Sequence, residues 1–150
     1  VTENDELKEL LKSLFSSQLL AVLGTQGEKG PYGSLVAFAA TDDLKFLVFA
    51  TLRSTRKYRN IADAPRAVMV IDNRSNGESD FSRAVAVTAT GSVREISGSE
   101  RRELENLYLA KHPLLRDFVA APACALLMVE VDHYYIVRKF REVVTLAMGR

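Results

Sequence analysis

Tryptophan is absent from this 150-residue sequence, which also holds a single cysteine, two histidines and four prolines. A lone cysteine closes no internal disulfide and builds no multi-cysteine metal site. Set in the apolar stretch "ACALLMVEV", Cys124 is expected as a buried, unreactive thiol. His112 and His133 are too few for a metal cluster without carboxylate help. His112, just before Pro113, is expected at a helix C-terminus, where the dipole favours it, and His133 in a turn between strands. Long apolar runs are missing as well: the longest uncharged one, 118–129, contains Pro122 and is too short to cross a bilayer. Nor is there an excess of charge. With 20 basic and 19 acidic residues the net charge is +1, which gives no global field to draw the chain onto nucleic acid or an anionic membrane. The first twenty residues carry Glu3, Asp5, Glu6 and Glu9 and lack the basic start and apolar core of a signal peptide, so a cytoplasmic protein is expected.

The motifs of several familiar chemistries are also missing. There is no Walker-type phosphate loop, no GxGxxG, no HExxH and no GxSxG, which removes support for nucleotide hydrolases, zinc proteases and serine hydrolases. What the chain does have is 47% hydrophobic content at a length typical of one globular domain, taken here as 1–150.

"ENDELKELLKSLF" spaces Leu7, Leu10, Leu11, Leu14 and Phe15 for an amphipathic first helix, with Asn4 or Asp5 as its N-cap. "QLLAVLGT" and "PYGSLVAFA" read as a hairpin, and "LKFLVFAT" as a third strand. A short helix capped by Ser54 or Thr55 runs to about Asp63 and stops before Pro65. "RAVMVID" and "RAVAVTATGSVREI" are the next strands, separated by the polar loop "NRSNGESD". Ser97 with Glu100 forms a capping box for the helix "ERRELENLYLAKH", and "LLRDFVAA" is a shorter helical piece. "ACALLMVEVD" and "YYIVRKFREVVTLA" are two final strands. Seven β segments with short turns and about three helices predict a mainly antiparallel barrel.

One stretch breaks the overall neutrality. "TLRSTRKYRNI", 51–61, carries Arg53, Arg56, Lys57 and Arg59 and no acid. A strand ending at Thr51 and a helix starting near Thr55 would gather backbone N–H groups, a helix dipole, two hydroxyls and these cations in one place. Such a convergence suits a phosphate, though a solvated helix face has an equal claim on the residues alone.

The segment "FATLRSTRKYRNIADAPRAVMVI", with its hydroxyl-Arg-Lys run at Thr55-Arg56-Lys57, resembles the phosphate-binding strand, turn and helix of the pyridoxamine 5′-phosphate oxidase-like, FMN-binding split-barrel superfamily. The resemblance extends through "GPYGSLVAFAATDDLKFLVFAT" and "SDFSRAVAVTATGSVREI" and is strongest over 18–96. It implies a mainly β, antiparallel split barrel of Greek-key type, with about six to seven strands and flanking helices. It further implies a homodimer that holds FMN in clefts between subunits. Carried over to this chain, Thr51, Thr55, Arg56 and Lys57 would hold the FMN phosphate, with Arg53 in support. Backbone groups of Ser34, Leu35, Val36 and Ala37 would run along the flavin ring, and Ser82 and Arg83, at the start of the fifth strand, would reach it from the second subunit. The Trp and the Arg-x-His motif of true pyridoxamine phosphate oxidases have no counterpart in this sequence, so oxidation of that vitamer is not expected.

The implied activity is an FMN-dependent oxidoreductase, taking hydride from a nicotinamide donor, NADH or NADPH, and passing electrons to a small molecule. Tyr32, Tyr58 and Phe81 are candidates for the cleft wall, with core or interface packing as the plainer role. A flavin or haem carrier without turnover is the alternative. A nucleic-acid module using the 53–59 patch lacks the interleaved aromatics and broad basic surface of that class.

Overall fold

A computed structural model describes residues 2–149. In chain order its elements are α1 (Glu3–Ser17), β1 (Leu20–Gly27), β2 (Gly30–Ala40), β3 (Phe46–Leu52), α2 (Arg56–Asp63), β4 (Arg66–Asp72), α3 (Asp80–Arg83), β5 (Val85–Glu95), α4 (Gly98–Lys111), α5 (Arg116–Ala120), β6 (Cys124–Arg138) and β7 (Glu142–Ala147). The strands run in the order β3-β2-β1-β4-β5-β6, all antiparallel, and the β3–β6 pairing closes them into a six-stranded barrel. β7 extends the sheet beyond β6.

Two-residue alternation decides what each strand buries. Ala21 and Leu23 of β1, Met69 and Ile71 of β4, Val87 and Ala89 of β5 and Leu127 and Val129 of β6 fill the barrel interior. The apolar stripe of α1, Leu7, Leu11, Leu14 and Phe15, joins this cluster, with the Phe15 ring edge-on to Phe38 at 5.7 Å. On the opposite side of the β3 and β6 strands, Val48, Ala50, Leu126 and Met128 pack with Tyr108, Leu109 and Val119 from α4 and α5. Cys124 lies buried within this second cluster, as its apolar surroundings in the sequence suggest.

Local details depart from expectation in instructive places. Thr2, not Asn4 or Asp5, is the N-cap of α1. Its hydroxyl accepts from Asp5 N at 3.1 Å, while the Asp5 carboxylate accepts from Thr2 N at 3.2 Å, a reciprocal capping box. The box expected at Ser97 and Glu100 is not formed: Ser97 occupies the cap position without a side-chain bond, and Glu100 is held by Arg94 at 2.8 and 3.0 Å. His133 is in no turn. β6 continues through it with a bulge at Asp132, pairing His133 with Thr90 and Ala147, and the reversal falls at Lys139 and Phe140, both at positive φ. Ser82 and Arg83 belong to the short helix α3 rather than to β5.

Candidate functional site

The barrel is open along one seam. β2 pairs with β1 from Gly30 to Ala37, but with β3 only at Phe38, Ala39 and Ala40, opposite Phe49, Val48 and Leu47. The next rung would join Ala37 to Ala50. In its place stands the phenol of Tyr108 from α4, which donates to Ala37 O at 3.1 Å and accepts from the Ala50 N–H. Tyr108 is 1% exposed, and burial pushes its pKa up to about 12, so the hydroxyl stays protonated. One side chain thus satisfies the two backbone groups that would otherwise continue the ladder. Beyond it β3 follows β6, pairing from Phe46 with Glu130 to Leu52 with Cys124, and β2 diverges.

Within the diverging part of β2, Ser34 lies on the same face as Val36 and Phe38, and its Oγ is buried with no hydrogen-bond partner. Buried hydroxyls are nearly always paired, so an orphan on this inward face of β2, beside the seam, suits a polar group that is not part of the chain. Phe38 N bonds Leu19 O, which by alternation turns the backbone groups of Leu35 and Ala37 away from β1, toward the seam. His112 closes the other end of the strand, its Nε2 2.7 Å from Phe38 O. A carbonyl only accepts, so that nitrogen carries the proton, and burial lowers the His112 pKa and keeps the ring neutral.

At the exit of β3 the chain turns into α2. Thr55 is the N-cap: its hydroxyl accepts from Tyr58 N at 3.4 Å, lies 2.8 Å from Leu52 O and 2.9 Å from the hydroxyl of buried Thr51. The first-turn N–H groups of Arg56 and Lys57 have no intrahelical acceptor, and the turn contains no acid to meet them. The Arg56 guanidinium stacks over the Tyr32 ring, 4.4 Å from its centroid, and so ties α2 to the diverging strand β2. Lys57 is half-buried and makes no ion pair among the described residues. Arg53 is differently committed: it donates to Pro122 O at 2.9 Å and to Glu95 at 2.6 Å. The other Glu95 oxygen accepts from Tyr58 Oη at 2.6 Å. Burial works against ionisation of Glu95, but these two donors outweigh it and hold the carboxyl below its ordinary value.

The structure therefore brings Thr51, Thr55, Arg56 and Lys57 together at one mouth of the seam whose β2 wall carries Ser34 to Ala37. Arg53 stands beside them, held by Glu95. Ser82 and Arg83 are elsewhere: β4 begins after α2 and ends before α3, which puts them at the opposite end of the barrel within one chain. Of the three candidate aromatics only Tyr32 borders the seam through Arg56. Tyr58 anchors Glu95, and exposed Phe81 packs edge-on against Phe140 at 5.2 Å. The residues that sequence reasoning missed are Tyr108 and Glu95, whereas His112 caps the end of α4 where it was expected. A lone phenol within a helical stripe of leucines, as in "ENLYLAKH", is the one available signal, because a buried Tyr hydroxyl needs a partner.

The outer face of β1, β2 and β4 is uncovered and apolar, with Leu20 53%, Leu35 66% and Val68 37% exposed. Among the described residues no group of His, Cys, Asp or Glu is placed to hold a metal, and no helix is long and apolar enough to cross a membrane.

The family model of pyridoxamine 5′-phosphate oxidase matches residues 5–138. Among solved structures, a haem-binding protein from Mycobacterium smegmatis superposes with a TM-score of 0.83 at 18% identity, covering 94% of this chain and 57% of that one. General Stress Protein 26 from Bacillus anthracis gives 0.71 at 20% identity over 94% of this chain and 99% of that one. A FAD-binding protein from Mesorhizobium loti gives 0.70 at 13% identity, with 85% and 90% covered. Identities this low speak for the fold alone, and this chain spans little more than half of the haem-binding protein. No curated protein sequence gives a significant match.

Proposed function

The chain belongs to the pyridoxamine 5′-phosphate oxidase family, and on that footing we propose that it is an FMN-binding oxidoreductase whose cofactor lies along the β2–β3 seam with its phosphate at the start of α2. The observation that carries this reading is the Tyr108-held seam opening directly onto a capped, acid-free helix start with Arg56 and Lys57. A dianion there would meet two side-chain cations, free backbone N–H groups and the positive end of the dipole, each charge-assisted bond contributing about 1.5 to 3 kcal/mol. Thr51 and Thr55 hold the turn through their shared hydroxyl contact, and Arg53, neutralised by Glu95, braces it rather than supplying free charge. Along the ring, the orphaned Ser34 hydroxyl and the backbone of Leu35, Val36 and Ala37 supply polar contacts. When bound, FMN would supply hydride acceptance from NADH or NADPH and electron delivery to a small molecule.

The same reading treats the chain as one split-barrel domain that pairs as a homodimer through the apolar outer face of β1, β2 and β4. Ser82 and Arg83 then reach a cofactor only from the second protomer, since one chain places them at the wrong end. Haem is the second reading, favoured by the neighbour from Mycobacterium smegmatis, and of the two histidines only His133 would be available to it, because His112 Nε2 is bound to Phe38 O. A visible spectrum separates flavin from haem.

The deciding experiment is the double variant Arg56→Ala/Lys57→Ala. Arg56 is exposed and Lys57 half-buried, and neither belongs to the core, so the fold is expected to be retained, which a circular-dichroism melt checks. FMN affinity, read by quenching of flavin fluorescence, is expected to fall by about 3 to 6 kcal/mol from the loss of two charge-assisted contacts. A folded variant with unchanged affinity overturns the assignment.

A further inference from the structure

β3 leads from Phe46, beside the β2–β3 turn, to Leu52, before α2, so its two ends stand about 20 Å apart. At the end far from α2, α1, α4 and that turn line an open cavity of about 610 Å³ that the flavin reading does not use. Its wall is largely apolar, with Phe15, Leu44, Leu107 and Ala110. Lys111, the last residue of α4, lines it too. The Lys111 Nζ donates to Phe15 O at 2.7 Å and lies 3.8 Å from the centroid of the Phe38 ring. It has no carboxylate partner among the described residues.

The charged groups around this amine are Glu9 and Lys12 on α1 and Asp42 on the turn, and neutral His112 follows it as the C-cap of α4. Glu9 and Lys12 face each other at 3.8 Å. With two acids and two amines in the lining there is no net field for an anion, and the apolar wall favours a neutral occupant. The ring face and the carbonyl favour the charged amine in part, but half-buried and without a counter-ion it still loses hydration that its charged form needs. Burial accordingly lowers the Lys111 pKa to about 8. About a tenth of it is then uncharged at pH 7, against well under a thousandth of an ordinary lysine. Uncharged lysine is the nucleophile of carbonyl chemistry.

We propose that the α1–α4 cavity is a capture site for small apolar aldehydes, with Lys111 as the amine that bonds their carbonyl carbon. The nitrogen lone pair forms the C–N bond, the carbonyl oxygen departs as water with the two amine protons, and an imine remains. The exchange is balanced without oxidant or reductant.

Butanal with sodium cyanoborohydride, added to the whole protein at pH 7, traps imines as alkylated lysines that peptide mass spectrometry assigns. Lys111 is expected to be labelled about tenfold faster than the mean of the other six lysines. Ala110→Trp fills the cavity from an exposed position and leaves the amine in place, and in that folded variant the excess rate at Lys111 is expected to vanish. Labelling of Lys111 no faster than the other lysines overturns the proposal, as does an excess rate that survives Ala110→Trp.

Discussion

Tyr108 stands where a strand-to-strand hydrogen bond would be, one hydroxyl serving both the carbonyl of Ala37 and the N–H of Ala50. Removing only that oxygen, in Tyr108→Phe, leaves the packing of the ring and strips both backbone groups of their partner. Urea denaturation is expected to show a loss of about 1 to 3 kcal/mol, the range for unsatisfied buried groups. Flavin affinity is expected to drop with it, because nothing then keeps β2 and β3 apart at this rung. A variant as stable as the wild type that binds flavin equally would show that the seam does not depend on the phenol. Thr55, Arg56 and Lys57 were legible in the sequence because a cap and its first turn are local. Tyr108 was not, since its role depends on where residues 37 and 50 would have met, and no local pattern encodes that pairing.

Among the elements, the strands were legible by alternation, and the last two show the limit of that signal. Asp132 and His133 interrupt an apolar run and look like a turn, yet β6 continues through them with a bulge: Thr90 faces His133 and Gly91 faces Val131, so Asp132 is the extra residue opposite β5. Gly91 is what permits it: a Cβ there would sit 2.0 Å from Glu130 O and 3.0 Å from Val129 Cγ1. The obstacle is backbone, which cannot swing aside as a side chain can. Gly91→Ala is therefore expected to cost about 1 to 3 kcal/mol, the range for overpacked sites, read as a fall in thermal midpoint. An unchanged midpoint would mean that the two strands separate easily at this point. Helix ends were read less well than strands, because a cap depends on which acid is left over. Glu100 pairs with Arg94 instead of closing back on Ser97.

For the whole molecule, α4 and α5 cover one outer side of the barrel, while β1, β2 and β4 leave Leu20, Leu35 and Val68 to solvent. On the homodimer reading, Leu20→Lys/Leu35→Lys places like charges on both halves of the interface. The expected outcome is a monomer by light scattering that no longer retains flavin. A dimer that persists would place the interface elsewhere. The closure of the barrel has a kinetic side as well. β3 meets β6 across a large part of the sequence, Leu52 reaching Cys124, and such distant pairings carry a high entropic barrier and form late. Glu95, Pro122 and Tyr108 all come to the seam from the chain between or beside those two strands. The cleft is thus expected among the last features to form, and a ligand held there is expected to slow unfolding and leave the folding rate unchanged, which stopped-flow refolding with and without ligand checks.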